Sequence, residues 1–177
     1  MHIAILPLLT VSDQTLKGLS EEIGNAFLSK VITLPHMASL PDETYDKSRE
    51  QYDANKVLAC LKSKTKGVKA EKIIAIGSMD MFVGGLNYVF GAAEKGGRIC
   101  AVSLYRLDPR FYGRQASYER LKERAVKEAI HELGHCYGLD HCKNKKCVMV
   151  FSNDVLSVDT KGKFFCEGCR EKLRKAL

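Results

Sequence analysis

Nowhere in this 177-residue chain does an apolar run approach the ~20 residues that a membrane-crossing helix requires, so no such helix is expected. The opening segment, Met1 to Thr10, lacks the basic cluster of a secretory leader and contains Pro7; it reads as a strand rather than a signal peptide. Internal repeats and low-complexity linkers are also missing, which argues against a repeat array. Aromatic residues are not interleaved with the basic ones, as a surface for single-stranded nucleic acid would favour. These absences predict a cytoplasmic protein with no membrane association, for which nucleic acid is not the expected partner; the oligomeric state is left open, with a monomer favoured.

Hydrophobic residues make up 45% and charged residues 28%, enough for one compact core with a small appendage. The formal charge is +7. If four cysteines hold one Zn²⁺ as thiolates, the net −2 of that site lowers the total to about +5. The remaining charge reads as a solvated basic surface.

Seven cysteines in a reducing compartment are not expected to form structural disulfides, and an odd number cannot pair completely. Four of them, Cys142, Cys147, Cys166 and Cys169, crowd into the C-terminal end of the chain, while His131, His135 and His141 lie within a short stretch just before it. Metal binding explains such clustering better than core packing does. Cys60, Cys100 and Cys136 read instead as small core residues. His2 and His36 have no evident partner.

Hydrophobic periodicity predicts a strand over His2 to Leu9, a helix from Ser12 or Asp13 to Lys30, and a strand over Val31 to Leu34. A loop over Pro35 to Asp46, a helix over Ser48 to Ser63 and a strand over Glu71 to Ile76 follow. Two further strands, Asn87 to Phe90 and Arg98 to Leu107, precede a long helix that begins near Ser117, a suitable N-cap. A short basic helix closes the chain. Strands alternating with helices imply a mixed α/β (α+β) fold: an N-terminal mixed sheet with flanking helices, a long helix bearing the histidines, and a small irregular C-terminal subdomain stabilised by zinc. The boundary falls between 1–137 and 138–177, within one compact domain.

His131-Glu132-Leu133-Gly134-His135 matches the H-E-x-x-H pattern. At ~100° per residue, positions i and i+4 lie about 40° apart, so both imidazoles reach one metal with Glu132 beside them. Leu121, Ala125, Val126, Ala129 and Leu133 fall on the opposite, core-facing side. Gly138 can take a positive φ and end the helix, returning the chain so that His141 supplies a third ligand. A fourth tetrahedral position is left for water, as a catalytic zinc requires. Cys142-x4-Cys147 and Cys166-x2-Cys169 have the spacing of a closed structural zinc site.

H-E-x-x-H-x-x-G-x-x-H followed by Met149 resembles the metzincin metalloproteases, with Met149 as Met-turn residue. With Cys142 after the third histidine, and Cys147, Cys166 and Cys169 beyond it, the stretch His131 to Cys169 resembles the archaemetzincins; Phe90-Gly91-Ala92-Ala93 upstream is similar as well. The resemblance implies a zinc-dependent metallopeptidase, either an aminopeptidase or a limited endopeptidase. It would hydrolyse peptide or polypeptide substrates by a zinc-activated water, with Glu132 as general base and then acid. It also implies two zinc ions per chain, one catalytic and one structural. Metzincins lay substrate along an edge strand beside the metal, and Arg98 to Leu107 is the candidate here. Phe151 departs from the tyrosine that several metzincins carry two residues after the methionine. The alternatives are a zinc-ribbon module for nucleic acid, or a weakly active scaffold or regulator that keeps the protease motif.

Overall fold

A computed structural model describes residues 2–177; Met1, the first residue of the expected opening strand, lies outside them. Among the described residues eight strands and five α-helices follow one another: β1 (His2–Leu8), α1 (Asp13–Phe27), β2 (Lys30–Thr33), β3 (Tyr45–Asp46), β4 (Gln51–Asp53), α2 (Ala54–Lys64), β5 (Lys72–Gly77), β6 (Met81–Phe82), β7 (Gly91–Ala93), β8 (Ile99–Ser103), α3 (Tyr118–Cys136), α4 (Val155–Thr160) and α5 (Glu167–Ala176). The main sheet has the order β2-β1-β5-β8-β7. Its first four strands are parallel and β7 runs antiparallel to β8 at the edge. A small second sheet joins β3, β4 and β6.

The fold is mixed α/β, with helices on both faces of the sheet. Parallel strands covered on both faces read as continuous apolar runs, and β1, β5 and β8 do so. One core places α1, α3 and the C-terminal segment on one face; the other places α2 on the opposite face. In α1 the stripe Leu16, Leu19, Ile23 and Phe27 is buried. Leu28 adopts a left-handed φ of 50° and stops α1 before the predicted Lys30, which begins β2 instead.

Three predicted elements shift. The second helix starts at Ala54 rather than Ser48, because Asp53 caps it through Asn55 N and Lys56 N while Ser48 is tied into a turn by Asp46. The strand predicted over Asn87 to Phe90 forms instead at Gly91–Ala93. The segment predicted as Arg98 to Leu107 is a strand only over Ile99–Ser103, after which Tyr105–Leu107 turns into a 3-10 helix. That strand lies between β5 and β7, so it is not the edge strand; β7 is. Cys60 is only partly buried, whereas Cys100 and Cys136 are core residues as expected. Among the described residues no helix is long and apolar enough to cross a membrane.

Candidate metal centre and active-site cleft

Helix α3 begins as the sequence implies, with the Ser117 side chain accepting from Arg120 N. Ala125, Val126, Ala129, Leu133 and Cys136 are buried against the sheet and α1, with Leu121 packed at their margin. The helix ends at Cys136, and Gly138 just beyond it has a φ of +85° that only glycine takes without strain. Leu139 N then donates to Gly134 O at 3.0 Å, a reversal that carries the chain back toward the helix.

This reversal brings His141 to His131 and His135. The ligand atoms of the three histidines lie within 4.8 Å of one another. The Nδ1 atoms of His131 and His135 face the carbonyls of Val148 and Leu139, each at 2.8 Å. Carbonyls only accept, so those nitrogens carry the protons and the Nε2 atoms present lone pairs. The two Nε2 atoms are nevertheless 3.1 Å apart. Two lone pairs at that distance repel each other unless a cation lies between them. Zinc with ~2.0–2.1 Å bonds to nitrogen separates tetrahedral ligands by about 3.3 Å, so the donor set fits it. Burial holds His131 well below the usual imidazole range, with the Lys161 charge adding to the effect. His135 and His141 are lowered for the same leading reason. The imidazoles are therefore neutral near pH 7, the form that binds metal.

Glu132 is buried and lines a cleft of about 420 Å³ together with the three histidines, Gly91 and Phe151. Burial, reinforced by the Glu128 charge, raises its carboxyl well above the usual carboxylate range. Gly91 is small because Glu132 needs the space: a Cβ there would come within 2.5 Å of Glu132 Cγ and 2.6 Å of Oε1. Gly91→Ala should therefore cost about 10-fold in kcat and lower the melting temperature, since the buried Glu132 side chain must shift from its Cγ outward. Steady-state kinetics with a melting curve checks this; an unaltered kcat would show that Glu132 needs no such room.

The edge strand β7 adjoins the same cleft. Ser103 N donates to Phe90 O and Glu94 N to Ile99 O, so residues 90, 92 and 94 turn their backbone groups toward β8. By antiparallel alternation, Gly91 and Ala93 turn theirs outward to the free edge.

Cys142, Cys147, Cys166 and Cys169 also converge, their sulfur atoms within 4.8 Å of one another. Cys142 and Cys166 Sγ are 3.7 Å apart, which matches the ~3.8 Å expected across a tetrahedral zinc with ~2.3 Å bonds to sulfur. A backbone donor at Cys169, in the first turn of α5, lowers the Cys166 thiol to about 7, while burial raises Cys169. Lys143, Lys145 and Lys146 are exposed on the loop between the first two cysteines.

Met149 is fully buried beneath α3: a Cβ on Gly134 would meet its sulfur at 2.5 Å. The Phe151 ring lies 4.9 Å from that of His141 at the cleft wall. The three histidines and the four cysteines thus gather in two separate groups, with Met149 packed beneath the helix that carries His131 and His135. His2 and His36 join neither site. Sequence reasoning missed Val148, whose carbonyl orients His131, and the buried Glu128 and Lys161. Only Glu128 left a trace, as a carboxylate one helical turn before Glu132.

A sheet-supported helix presenting H-E-x-x-H, a third histidine from the following turn and a buried glutamate in a cleft together define a zinc metallopeptidase. The model of Peptidase family M54 matches residues 11–175. The archaemetzincin of Pyrococcus furiosus is 39% identical over 99% of this chain and 93% of its own length. That of Methanocaldococcus jannaschii is 40% identical over 98% and 93%. The crystal structure of archaemetzincin from Methanopyrus kandleri superposes with a TM-score of 0.87 at 34% identity, covering 99% of this chain and 94% of that one. The zinc-dependent peptidase from Methanocorpusculum labreanum gives 0.88 at 30% identity, covering 97% and 99%. The chain belongs to the archaemetzincins, peptidase family M54.

Proposed function

We propose that His131, His135 and His141 hold the catalytic zinc of this peptidase, that Glu132 carries the proton, and that Cys142, Cys147, Cys166 and Cys169 hold a second, structural zinc. The observation that carries this reading is the convergence of three neutral imidazoles beside a buried glutamate in one cleft. Zinc held there supplies a Lewis acid that acidifies water and polarises the scissile carbonyl. Glu132 accepts the proton of the attacking water and returns it to the leaving amine. The outward N–H and C=O groups of Gly91 and Ala93 pair with the substrate backbone, laying the peptide along β7 and over the histidines. Phe151 offers no hydroxyl, and its ring packs beside His141 instead.

Met149 under Gly134 supports placing the chain in the metzincin clan as its Met-turn residue. Residues 138–177 act as a C-terminal subdomain bearing that turn and the thiolate site, against 1–137, which carries the sheet and α3. Four thiols gathered for one metal suit a reducing compartment, the cytoplasm. A zinc ribbon for nucleic acid would give no role to Glu132 in the cleft.

Elemental analysis of carefully prepared protein should approach two zincs per chain. Under mild chelation the histidine site should empty first, because one of its positions is open to water while four thiolates close the other. Loss of the thiolate-bound metal first would contradict the assignment. Digestion of a peptide library tests the function itself. Trimming from amino termini identifies an aminopeptidase, and internal cuts a limited endopeptidase. No turnover above that of Glu132→Ala protein would leave a scaffold.

A further inference from the structure

Behind the cleft lies an ion pair that the hydrolytic scheme does not use. Lys161 Nζ is 2.7 Å from Glu128 Oε1, with 1% and 5% of the two side chains exposed. The contact is close but poorly directed, and neither atom has another hydrogen-bond partner among the described residues. Taking two charges out of water is costly, and an apolar pair of similar volume is often equally stable or more so. Stability alone is therefore a weak reason for this pair.

Its position suggests another. Glu128 lines the cleft and stands one helical turn before Glu132 on α3. The Glu132 side chain is consequently bounded by Gly91 on the strand side and, one helical turn away on α3, by the paired Glu128. Lys161 follows α4, and it is held firmly. Arg124 grips Asp159 at 2.7 and 2.8 Å, and Lys127 Nζ donates to the carbonyls of Val158 and Asp159 at 3.1 Å each. On its other side, Gly162 approaches Lys146 O so closely that a Cβ would sit 2.4 Å away. The ammonium thus has a fixed place beside Glu128.

We propose that Glu128 and Lys161 are positioning residues: the pair denies Glu132 a retreat along the helix and keeps its carboxylate against β7, facing the substrate. The inference rests on Glu132 being the proton carrier. Lys161 anchors Glu128, and Glu128 acts on Glu132; neither need touch the peptide.

The test compares purified wild type with Lys161→Met, Glu128→Leu, the double variant and Glu132→Gln, measuring kcat, KM, zinc content and Tm. Each single change leaves a buried charge unpaired, so Tm falls together with kcat. In the double variant the two apolar side chains replace the pair, and Tm returns toward that of wild type. Its kcat should stay about 10-fold or more below wild type, with KM within about two-fold and zinc fully retained. A double variant that recovers kcat along with Tm would show a merely structural pair and overturn the proposal. So would a folded Lys161→Met enzyme with wild-type kcat. If that single variant fails to fold, the double variant alone decides. An inactive Glu132→Gln beside a fully active double variant sinks only this inference. A fully active Glu132→Gln removes the reading of Glu132 and the inference with it.

Discussion

Glu132→Ala should retain zinc and lose about 10²–10⁴-fold in peptide hydrolysis, the usual contribution of a positioned acid or base. That loss corresponds to about 3–5 kcal/mol of transition-state stabilisation. Glu132 contributes no ligand atom to the histidine triad, so metal content should not change. Stability should not fall either. Burial raises this carboxyl well above its usual range. The sign follows from linkage: above the carboxyl's unfolded pKa of ~4.3, the unfolded chain gives up a proton that the metal-free fold would prefer to keep. Carrying this carboxyl into the fold therefore costs the metal-free protein stability at neutral pH, and removing it relieves that cost. The variant is expected to be an inactive protein with a melting temperature at or above that of wild type after zinc is stripped. Glu132→Gln, which preserves shape without the proton, should be equally slow. Measured kcat and zinc per chain check both; a variant as fast as wild type would remove Glu132 from the mechanism.

The convergence of the three histidines was readable from sequence because its geometry is local. His131, Glu132 and His135 need only a regular helix, and His141 needs only the reversal at Gly138, whose positive φ is the one backbone demand in the motif. The gathering of the four cysteines was readable because thiols crowded into a short, lysine-rich stretch have little apolar core to fill, which points to metal as their partner. The cleft wall was not readable. An interior strand and an edge strand differ in their neighbours, and neighbours are set by tertiary pairing. Ile99–Ser103, wholly apolar apart from Ser103 and buried throughout, carries the signature of a strand covered on both faces. Gly91–Ala93 consists of three small residues with no usable period, although it forms the rim beside Glu132. The start of α2 was lost for a different reason. Ser48 and Asp53 are both acceptable caps, and the choice depends on the pairing of Tyr52 with Met81 in the small sheet. Lys161 left no local trace. A lysine in a polar stretch reads as solvated, and only the packing of α4 against α3 buries it.

Breaking the thiolate site should weaken the histidine site, although no cysteine of the set belongs to it. The connection runs through the backbone between Cys142 and Met149. Cys142 N donates to Met149 O at 2.8 Å, closing a loop whose first residue adjoins His141. Within that loop Cys147 adjoins Val148, whose carbonyl holds His131 Nδ1 at 2.8 Å. Val148 N in turn donates to Phe164 O at 2.9 Å, and Cys166 N to Cys147 Sγ at 3.3 Å. Cys147, Val148 and Met149 are fully buried, so the loop cannot shift without disturbing Gly134 above it. One metal across the four sulfurs would fasten the two ends of this arrangement, 142–147 and 166–169. Without it, the Val148 carbonyl and the backbone beside His141 lose their common anchor. Partners that orient a metal-binding histidine often contribute ~10–100-fold to metal affinity or activity. Cys166→Ser is therefore expected to bind zinc at the histidine site ~10–100-fold more weakly and to melt at a lower temperature. The measurement is a zinc titration of this variant under conditions where circular dichroism shows it folded, with hydrolysis followed in parallel. Serine keeps the size and much of the shape of cysteine, so the comparison isolates the lost thiolate. Unchanged affinity together with unchanged hydrolysis would show that the two sites are neighbours in the chain and nothing more.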